Sequence, residues 1–197
     1  MDPRDPATPQ FASDNNAGLA PEAFAALAEA NRGHAVAYGG DDWTRRAADA
    51  IRAAFDADAA VYFVFNGTAA NSLALAAICR STDAVVCHAS AHADVDECRA
   101  PEFFSGGAKL LTVDTPFAKL TPAAVAARAV TPHDEHASRP RALTLTQATE
   151  LGTVYTPDEI RVLSRIAHER GMQVHMDGAR FANAVASLDC APADLTW

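Results

Sequence analysis

Residues 156–177 read TPDEIRVLSRIAHERGMQVHMD, and this stretch decides the fold class. Thr156 precedes a proline and lies three residues before a glutamate, which is the pattern of an N-terminal capping box. Apolar residues then recur at helical spacing until Gly171 ends the helix. The apolar run 173–176 follows as a buried strand and stops before Asp177. A capped helix that leads into a buried strand is typical of an open α/β fold.

The same alternation of strands and helices runs along most of the chain. Further strands are predicted at 61–65, 84–87, 110–113 and 142–146, and helices at 21–32, 42–55, 69–79 and from the N-cap Thr121. The polar stretch 131–140 is predicted to be a loop. Strands that alternate with helices predict a mainly parallel sheet with flanking helices, joined by right-handed crossovers.

Length and composition limit the number of domains. The 197 residues are 49% hydrophobic, which is enough for one domain with its own core. Residues 1–10 carry three prolines and no hydrophobic period, so we expect a flexible leader before a domain that occupies residues 11–197.

Charge and hydropathy argue against several partners. The 16 basic and 25 acidic residues give a net charge of -9, which disfavours a nucleic-acid-binding surface. No run approaches about 18 apolar residues, and the N-terminus lacks the basic and apolar blocks of a signal peptide. We therefore expect a soluble, cytoplasmic protein with neither a membrane nor a nucleic-acid partner. The cysteines form no C-x-x-C pair, so Cys79, Cys87, Cys98 and Cys190 are expected to be reduced and structural.

Asn66-Gly67-Thr68 lies where a predicted strand ends and a helix begins. Backbone N–H groups and the helix dipole converge at such a position, which favours an anion and most naturally a phosphate. An ordinary turn with a threonine cap explains the same three residues equally well. The lysine of a Walker loop is missing.

Asp177 directly follows a predicted strand, at the edge where open α/β sheets bind ligands. A partly buried carboxylate needs a cationic partner, and the protonated ring nitrogen of a pyridine cofactor is one such partner. A structural ion pair between Asp177 and Arg180 is the alternative.

The segment 88–97 contains two histidines four residues apart and several acids. A surface loop with a capping aspartate is the first interpretation of this pattern. Stacking of an imidazole on an aromatic cofactor ring is the second, and a metal site is the third.

These segments, in this order, resemble the pyridoxal-phosphate-dependent threonine aldolases within the β-eliminating-lyase group. The resemblance rests on FASDNN at 11–16, YGGD at 38–41, NGTAAN at 66–71, AH at 91–92, DE at 96–97, PEFFSG at 101–106, TELGTVY at 149–155 and HMDGAR at 175–180. It spans residues 11 to about 184, and the combination is far more specific than any one motif. The implied fold is the large domain of the fold type I pyridoxal-phosphate enzymes.

The resemblance implies a role for six residues. Gly67 and Thr68 would hold the cofactor phosphate, His92 would stack on the pyridine ring, and Asp177 would bond the ring nitrogen. Arg180 would lie beside the cofactor or the bound amino acid, and Ser13 would help to hold the substrate carboxylate.

The implied reaction cleaves L-threonine and related β-hydroxy amino acids to glycine and an aldehyde, and no metal takes part. The cofactor draws electrons from the α-carbon while the Cα–Cβ bond breaks. Many relatives carry a Thr-His pair where this chain reads TQATE at 146–150, so the general base is left unassigned.

Members of the family hold the resting cofactor on a lysine that lies beyond the Asp-Gly-Ala-Arg motif. The only lysines here, Lys109 and Lys119, both precede that motif, and the chain stops at Trp197. We therefore expect an incomplete large domain that has little activity alone. The resemblance also implies a homodimer or homotetramer for the full-length form.

Other hypotheses remain open at this point. Another pyridoxal-phosphate lyase or an aminotransferase would share the fold, and a non-catalytic remnant that binds a full-length relative would explain the missing lysine. A metal-dependent hydrolase that uses His88, His92 and Asp96 is the most distant alternative.

Overall fold

The computed structural model describes residues 13–130 and 135–196. The predicted flexible leader at 1–10 and the predicted start of the domain at Phe11 lie outside this range, as does part of the loop predicted at 131–140. The chain divides into two compact units, residues 1–49 and residues 50–197. The boundaries of the single domain predicted at 11–197 stay a prediction.

The first unit is helical in its described part. It contains a short 3-10 turn at Asp14–Asn16, helix α1 at Pro21–Ala30 and the first half of helix α2 at Asp42–Phe55. Pro21 opens α1, as its fixed φ favours at a first helical position. Helix α2 has the predicted bounds, whereas α1 ends two residues before the predicted Arg32.

The second unit alternates helices and strands. Its helices are α3 at Gly67–Ile78, α4 at His92–Val95, α5 at Ala100–Phe104, α6 at Pro122–Arg128, α7 at Pro157–Glu169 and α8 at Phe181–Leu188. Its strands are β1 at Asp83–His88, β2 at Lys109–Val113, β3 at Arg139–Thr146 and β4 at Gln173–Asp177. Short 3-10 turns lie at Pro116–Ala118 and Pro192–Leu195.

In the described part of the chain, the sheet has four strands in the order β2-β1-β3-β4, and every pairing is parallel. The predicted α/β architecture with a parallel sheet is therefore confirmed. Parallel strands point their carboxyl ends toward one edge of the sheet, and the connections beyond that edge form the usual place for a ligand.

Helices cover both faces of the sheet. On one face, Leu143 and Leu145 of β3 pack against Val125 of α6 and Leu163 of α7. On the other face, Leu75 and Cys79 of α3 pack against Val85 of β1 and Ala142 of β3. The two central strands, β1 and β3, are thus buried over most of their length, whereas β2 and β4 at the sides of the sheet are more exposed.

The capping signals read from the sequence are confirmed. The hydroxyl of Thr156 accepts the N–H of Glu159 at 3.3 Å, and the Glu159 carboxylate accepts the N–H of Thr156 at 2.8 Å. Thr121 caps α6 by accepting the N–H of Ala124. Gly171 follows α7 with a φ of +70°, a conformation that glycine adopts without strain.

The strand predicted at 61–65 is not formed. These residues have no ladder partner among the described residues, and Tyr62 and Phe65 are 84% and 89% exposed. An apolar, β-branched and aromatic run favours an extended backbone, but a strand also needs a hydrogen-bonded neighbour, which the local sequence does not specify. Helix α3 begins at Gly67, two residues before the prediction, because Asn66 caps it.

Two of the cysteines lie deep in the fold. Burial raises the pKa of Cys79 to about 11 and that of Cys87 to about 12. Both thiols therefore stay protonated at neutral pH, in agreement with a packing role. Cys98 is exposed and Cys190 is partly buried, and both are free. Over residues 13–130 and 135–196, no helix is both long enough and apolar enough to cross a membrane.

Candidate active site

Four segments converge at the carboxyl edge of the sheet. His92 follows β1, the segment 147–150 follows β3, and Arg180 follows β4. Helix α3 adds Asn71, which bonds to the last residue of β4. The site is thus built on the ends of rigid strands and on one helix that crosses the sheet.

Asp177 is buried, and both of its carboxylate oxygens accept hydrogen bonds from neutral groups. Oδ1 accepts the backbone N–H of Ala179 at 3.0 Å, and Oδ2 accepts Nδ2 of Asn71 at 3.0 Å. No cationic side chain of the described residues forms an ion pair with this carboxylate. The alternative, an ion pair between Asp177 and Arg180, is therefore not formed.

A second buried carboxylate, that of Glu97, lies beside the first. Its Oε1 accepts Nδ2 of Asn71 at 2.7 Å and Nδ1 of His92 at 2.8 Å. Its Oε2 is buried and has no hydrogen-bond partner among the described residues. Asn71 therefore joins the two acids through one amide group.

His92 opens helix α4, and its side chain is 41% exposed. The hydrogen bond to Glu97 raises the pKa of His92, burial opposes this shift, and the charges of Glu97, Asp177 and Asp96 add to the increase. Asp96 Oδ2 lies 3.6 Å from Nε2 on the exposed side of the ring. The ring is thus anchored at one nitrogen and accessible at the other.

Arg180 and Glu150 lie close together at the same edge. Nε of Arg180 donates to the carbonyl oxygen of Ala148 at 3.1 Å, and one terminal nitrogen lies 3.9 Å from Glu150 Oε1. That nitrogen is buried and has no hydrogen-bond partner among the described residues. Arg180 therefore presents an unsatisfied donor that an anionic oxygen would satisfy.

The first turn of α3 provides backbone donors. Asn66 Oδ1 accepts the N–H of Ala69 at 2.9 Å. The N–H groups of Gly67 and Thr68 come earlier in the helix and have no intrahelical acceptor. Nothing lies within 4 Å of the position that a Cβ on Gly67 would take, so the space beside this turn is open. A phosphate is a suitable ligand for such a turn.

The remaining substrate residue, Ser13, lies in the first compact unit and is exposed. Its hydroxyl accepts the N–H of Asn15 at 3.2 Å. Its role in binding a substrate carboxylate stays a prediction.

The two lysines lie toward different ends of β2: Lys109 is its first residue, and Lys119 lies in the loop after its carboxyl end. Lys109 is therefore at the edge of the sheet opposite to the carboxyl edge. Lys119 Nζ donates to the carbonyl oxygen of Val154 at 3.0 Å and to both oxygens of Glu159 at 2.6 Å. Lys119 thus has a structural role that ties a loop to the first turn of α7.

The segment 88–97 is not a plain surface loop. It completes β1 and forms α4. His88 Nδ1 lies 2.7 Å from Ser90 Oγ, and Nε2 lies 3.0 Å from the carbonyl oxygen of Thr115. No cluster of three or more metal-ligating side chains occurs within the described residues.

Sequence reasoning missed the roles of Asn71, Glu97 and Glu150. Asn71 is a buried amide in a mainly apolar helix, which was a signal for a specific polar contact. Glu97 was one acid among several near His92, and its sequence position did not show that it is buried. Glu150 bonds to the backbone N–H of His92, which is 58 residues away, so only the fold could show this contact.

The fold and this edge define the class of protein, that of the pyridoxal-phosphate-dependent enzymes of fold type I. A threonine aldolase from Leishmania major superposes with a TM-score of 0.85 at 30% identity, over 91% of this chain and 53% of that chain. A serine palmitoyltransferase from S. paucimobilis, solved with bound PLP, superposes with a TM-score of 0.58 over 79% of this chain and 37% of that chain. Its 18% identity shows the fold alone.

The chain belongs to the beta-eliminating lyase family, whose model matches residues 10–197. It is 58% identical to the low specificity L-threonine aldolase of Pseudomonas aeruginosa over 190 residues. The aligned region covers 96% of this chain and 55% of that enzyme. It is 55% identical over 188 residues to the enzyme of the same name from Pseudomonas sp. strain NCIMB 10558, over 95% of this chain and 54% of that enzyme. The chain thus spans about half the length of the curated relatives that it matches.

Proposed function

We propose that the protein is a pyridoxal-phosphate-dependent aldehyde-lyase that cleaves L-threonine and related β-hydroxy amino acids to glycine and an aldehyde. The observation that carries this proposal is the state of Asp177, a buried carboxylate whose two oxygens receive only neutral donors. The names of the relatives at 55–58% identity support the same reaction.

The residues at the carboxyl edge fit the cofactor. A buried carboxylate without a cationic side-chain partner is expensive in free energy, and a protonated pyridine nitrogen would compensate its charge. The unsatisfied donor of Arg180 suits an anionic oxygen, and the free N–H groups of Gly67 and Thr68 suit a phosphate. Asp177 as an acceptor, and Arg180 and the first turn of α3 as donors, therefore provide one partner for each charged part of pyridoxal phosphate.

When bound, pyridoxal phosphate supplies an electron sink for the negative charge that develops on the α-carbon as the Cα–Cβ bond breaks. Asp177 would hold the ring nitrogen of the cofactor in its protonated form, because a carboxylate stabilises the charged form of that nitrogen. His92, with Nδ1 fixed by Glu97, would stack on the cofactor ring, and Arg180 would bind an oxygen of the cofactor or of the substrate. As the resemblance implies, Ser13 would hold the substrate carboxylate.

A titration with pyridoxal phosphate tests this assignment. Binding to the protein without cofactor is measured by the change in cofactor absorbance, for the wild type, Asp177→Ala and the matched control Asp96→Asn. Asp96 is an exposed acid of the same segment as His92. We expect the wild type and the control to bind equally and Asp177→Ala to bind at least about tenfold more weakly, since the lost charge pair is worth more than about 1.4 kcal/mol.

Analysis of the products then decides the reaction. With threonine as substrate, an aldehyde-lyase gives glycine and acetaldehyde, whereas an aminotransferase gives an oxo acid and requires a second oxo acid. Absence of glycine and acetaldehyde from the holoenzyme would reject the aldolase assignment. Equal binding by Asp177→Ala and the wild type would instead reject the role of Asp177.

We propose that the covalent attachment of the cofactor does not use a lysine of these 197 residues, because Lys109 lies at the amino end of β2 and the Lys119 ammonium group is held by Glu159. This chain alone should therefore turn over substrate poorly. Reduction of the cofactor-loaded protein with borohydride, followed by mass spectrometry, tests this claim. A stoichiometric adduct on Lys119 together with aldolase turnover would contradict it.

We also propose that the protein self-associates. The exposed aromatic side chains of Tyr62, Phe63 and Phe65 form an apolar run of the kind that association covers. Light scattering after size exclusion should give the mass of a dimer or a tetramer, and a monomer at micromolar concentration would contradict this proposal. The cytoplasmic location predicted from the sequence stays a prediction.

A further inference from the structure

The side-chain amide of Asn71 joins two buried carboxylates. Its Nδ2 lies 2.7 Å from Glu97 Oε1 and 3.0 Å from Asp177 Oδ2, and the three residues are 5%, 3% and 8% exposed. An amide nitrogen carries two hydrogens and cannot accept, so both carboxylate oxygens must be acceptors. Both N–H groups of one neutral side chain are therefore donated to acids that are distant in sequence.

The same Glu97 oxygen fixes the tautomer of His92. In its ionised form Glu97 has no hydrogen to donate, and its Oε1, which accepts from Asn71, lies 2.8 Å from His92 Nδ1. Nδ1 must therefore be the protonated nitrogen in the neutral ring, and Nε2 is the nitrogen at which protonation changes. Free histidine in water prefers the opposite tautomer, so the protein selects the minor form.

Acidic groups surround the His92 ring on several elements. Glu97 and Asp96 follow α4 in the chain, Asp177 ends β4, and Glu150 holds the first N–H of α4. The cation of this edge, Arg180, lies beside Glu150 at 3.9 Å. The charges that face the ring therefore favour its protonated form, and the pKa of His92 is raised accordingly.

Glu97 depends on its two donors. Its other oxygen, Oε2, is buried without a partner among the described residues, so Asn71 and His92 supply all of its hydrogen bonds there. A buried carboxylate that loses a donor pays a large desolvation cost, and Asp177 beside it repels it. Without Asn71, Glu97 should turn toward solvent and release His92.

We propose that Asn71 and Glu97 are positioning residues of this site: Glu97 holds His92 in the Nδ1–H tautomer, and Asn71 locks Glu97 to Asp177. The histidine and the aspartate are then oriented as one unit. The relevance of this unit to catalysis rests on the proposed function, whereas the hydrogen bonds themselves concern only residues of this chain.

Nitrogen-15 NMR of the histidine side chains tests the proposal on the full chain without added cofactor. The His92 signals are assigned by their loss in His92→Gln, and the tautomer and pKa are read from a pH titration. The variants are Asn71→Ala and Glu97→Gln. The matched control is Ser72→Ala, which truncates a neighbouring, equally buried residue of α3 whose hydroxyl has no hydrogen-bond partner within the described part of the chain.

We expect neutral wild-type His92 to be mainly the Nδ1–H tautomer. Asn71→Ala should shift the neutral ring toward Nε2–H, Glu97→Gln should lower the pKa of His92, and Ser72→Ala should change neither quantity. A merely structural contribution of Asn71 would lower stability without moving the tautomer.

An Nε2–H tautomer in the wild type, or an unchanged tautomer in folded Asn71→Ala, would overturn the proposal. If Asn71→Ala does not fold, the near-isosteric Glu97→Gln decides, and a wild-type pKa in that variant would overturn the proposal as well. The NMR experiment contains no cofactor, so its result is independent of the pyridoxal-phosphate titration. A wrong tautomer would not reject cofactor binding, and a failed titration would not reject the tautomer of His92.

Discussion

The carboxylate of Glu150 accepts the backbone N–H of His92 at 3.0 Å. This N–H belongs to the first residue of α4, where a helix has no acceptor of its own, and Ala91 before it supplies no side-chain cap. Glu150 thus replaces a local cap with one that comes from the segment after β3. The same oxygen lies 3.9 Å from Arg180, so one residue positions two candidate catalytic side chains.

Glu150→Ala should therefore disturb both His92 and Arg180. The variant loses a charge-assisted hydrogen bond, for which we expect a decrease of about 1.5 to 3 kcal/mol in the free energy of unfolding. Glu150→Gln keeps an acceptor oxygen at the same place and should lose less. Urea denaturation of both variants measures the difference, and equal losses would show that the charge alone matters.

The raised pKa of His92 predicts a pH-dependent stability. The folded pKa lies above the usual value of 6.5, so the protonated form favours folding. This stabilisation is complete below pH 6.5 and is lost as the pH rises through the folded pKa of His92. The free energy of unfolding, measured by denaturant titration across this window, should fall more with pH in the wild type than in His92→Gln. Identical slopes would contradict the assignment.

The hydroxyl group of Tyr155 forms a buried hydrogen bond in addition to the packing of its aromatic ring. Its hydroxyl accepts the N–H of Leu120 at 2.6 Å, and burial raises its pKa to about 12. Tyr155→Phe leaves that N–H unpaired and should lower the free energy of unfolding by about 1 to 3 kcal/mol. Tyr62→Phe is the matched control, because Tyr62 is exposed and should show no change. A loss of equal size in both variants would refute the role of this bond.

The cysteines should differ in their reaction with a thiol reagent. Cys98 is exposed, whereas Cys79 and Cys87 are buried with pKa values of about 11 and about 12. In the native protein at neutral pH, Cys98 should react rapidly, and Cys79 and Cys87 should react only after unfolding. Mass mapping of the modified residues, with Cys98→Ser as the control, checks this order. Rapid native labelling of Cys87 would mean that β1 is not covered as described.

The local signals in the sequence were sufficient for most of the second unit. The capping box at Thr156 and the buried run at 173–176 predicted α7 and β4, since both depend on neighbours within a few residues. The apolar run at 61–65 shows that local signals are not sufficient to predict a strand. Its composition predicts an extended backbone, but pairing in a sheet is decided by a partner that is distant in sequence.

The candidate site was predictable only in part for the same reason. The position of Asp177 after a strand follows from the local pattern together with the general rule for open α/β sheets. The contacts of Asn71 join residues 26 and 106 positions away, and no periodicity encodes them. Asp177 was therefore found as a candidate, whereas the amide that holds it was not.

The side-chain amide of Asn71 also limits which substitutions this sequence can accept during evolution. A mutation of Asn71 alone removes a hydrogen-bond donor from two buried acids. A mutation of either acid alone leaves one N–H of the amide without its acceptor. Viable paths between homologues should therefore change these three positions in a concerted way or leave them alone. We therefore expect one nitrogen atom to couple the evolution of residues 71, 97 and 177.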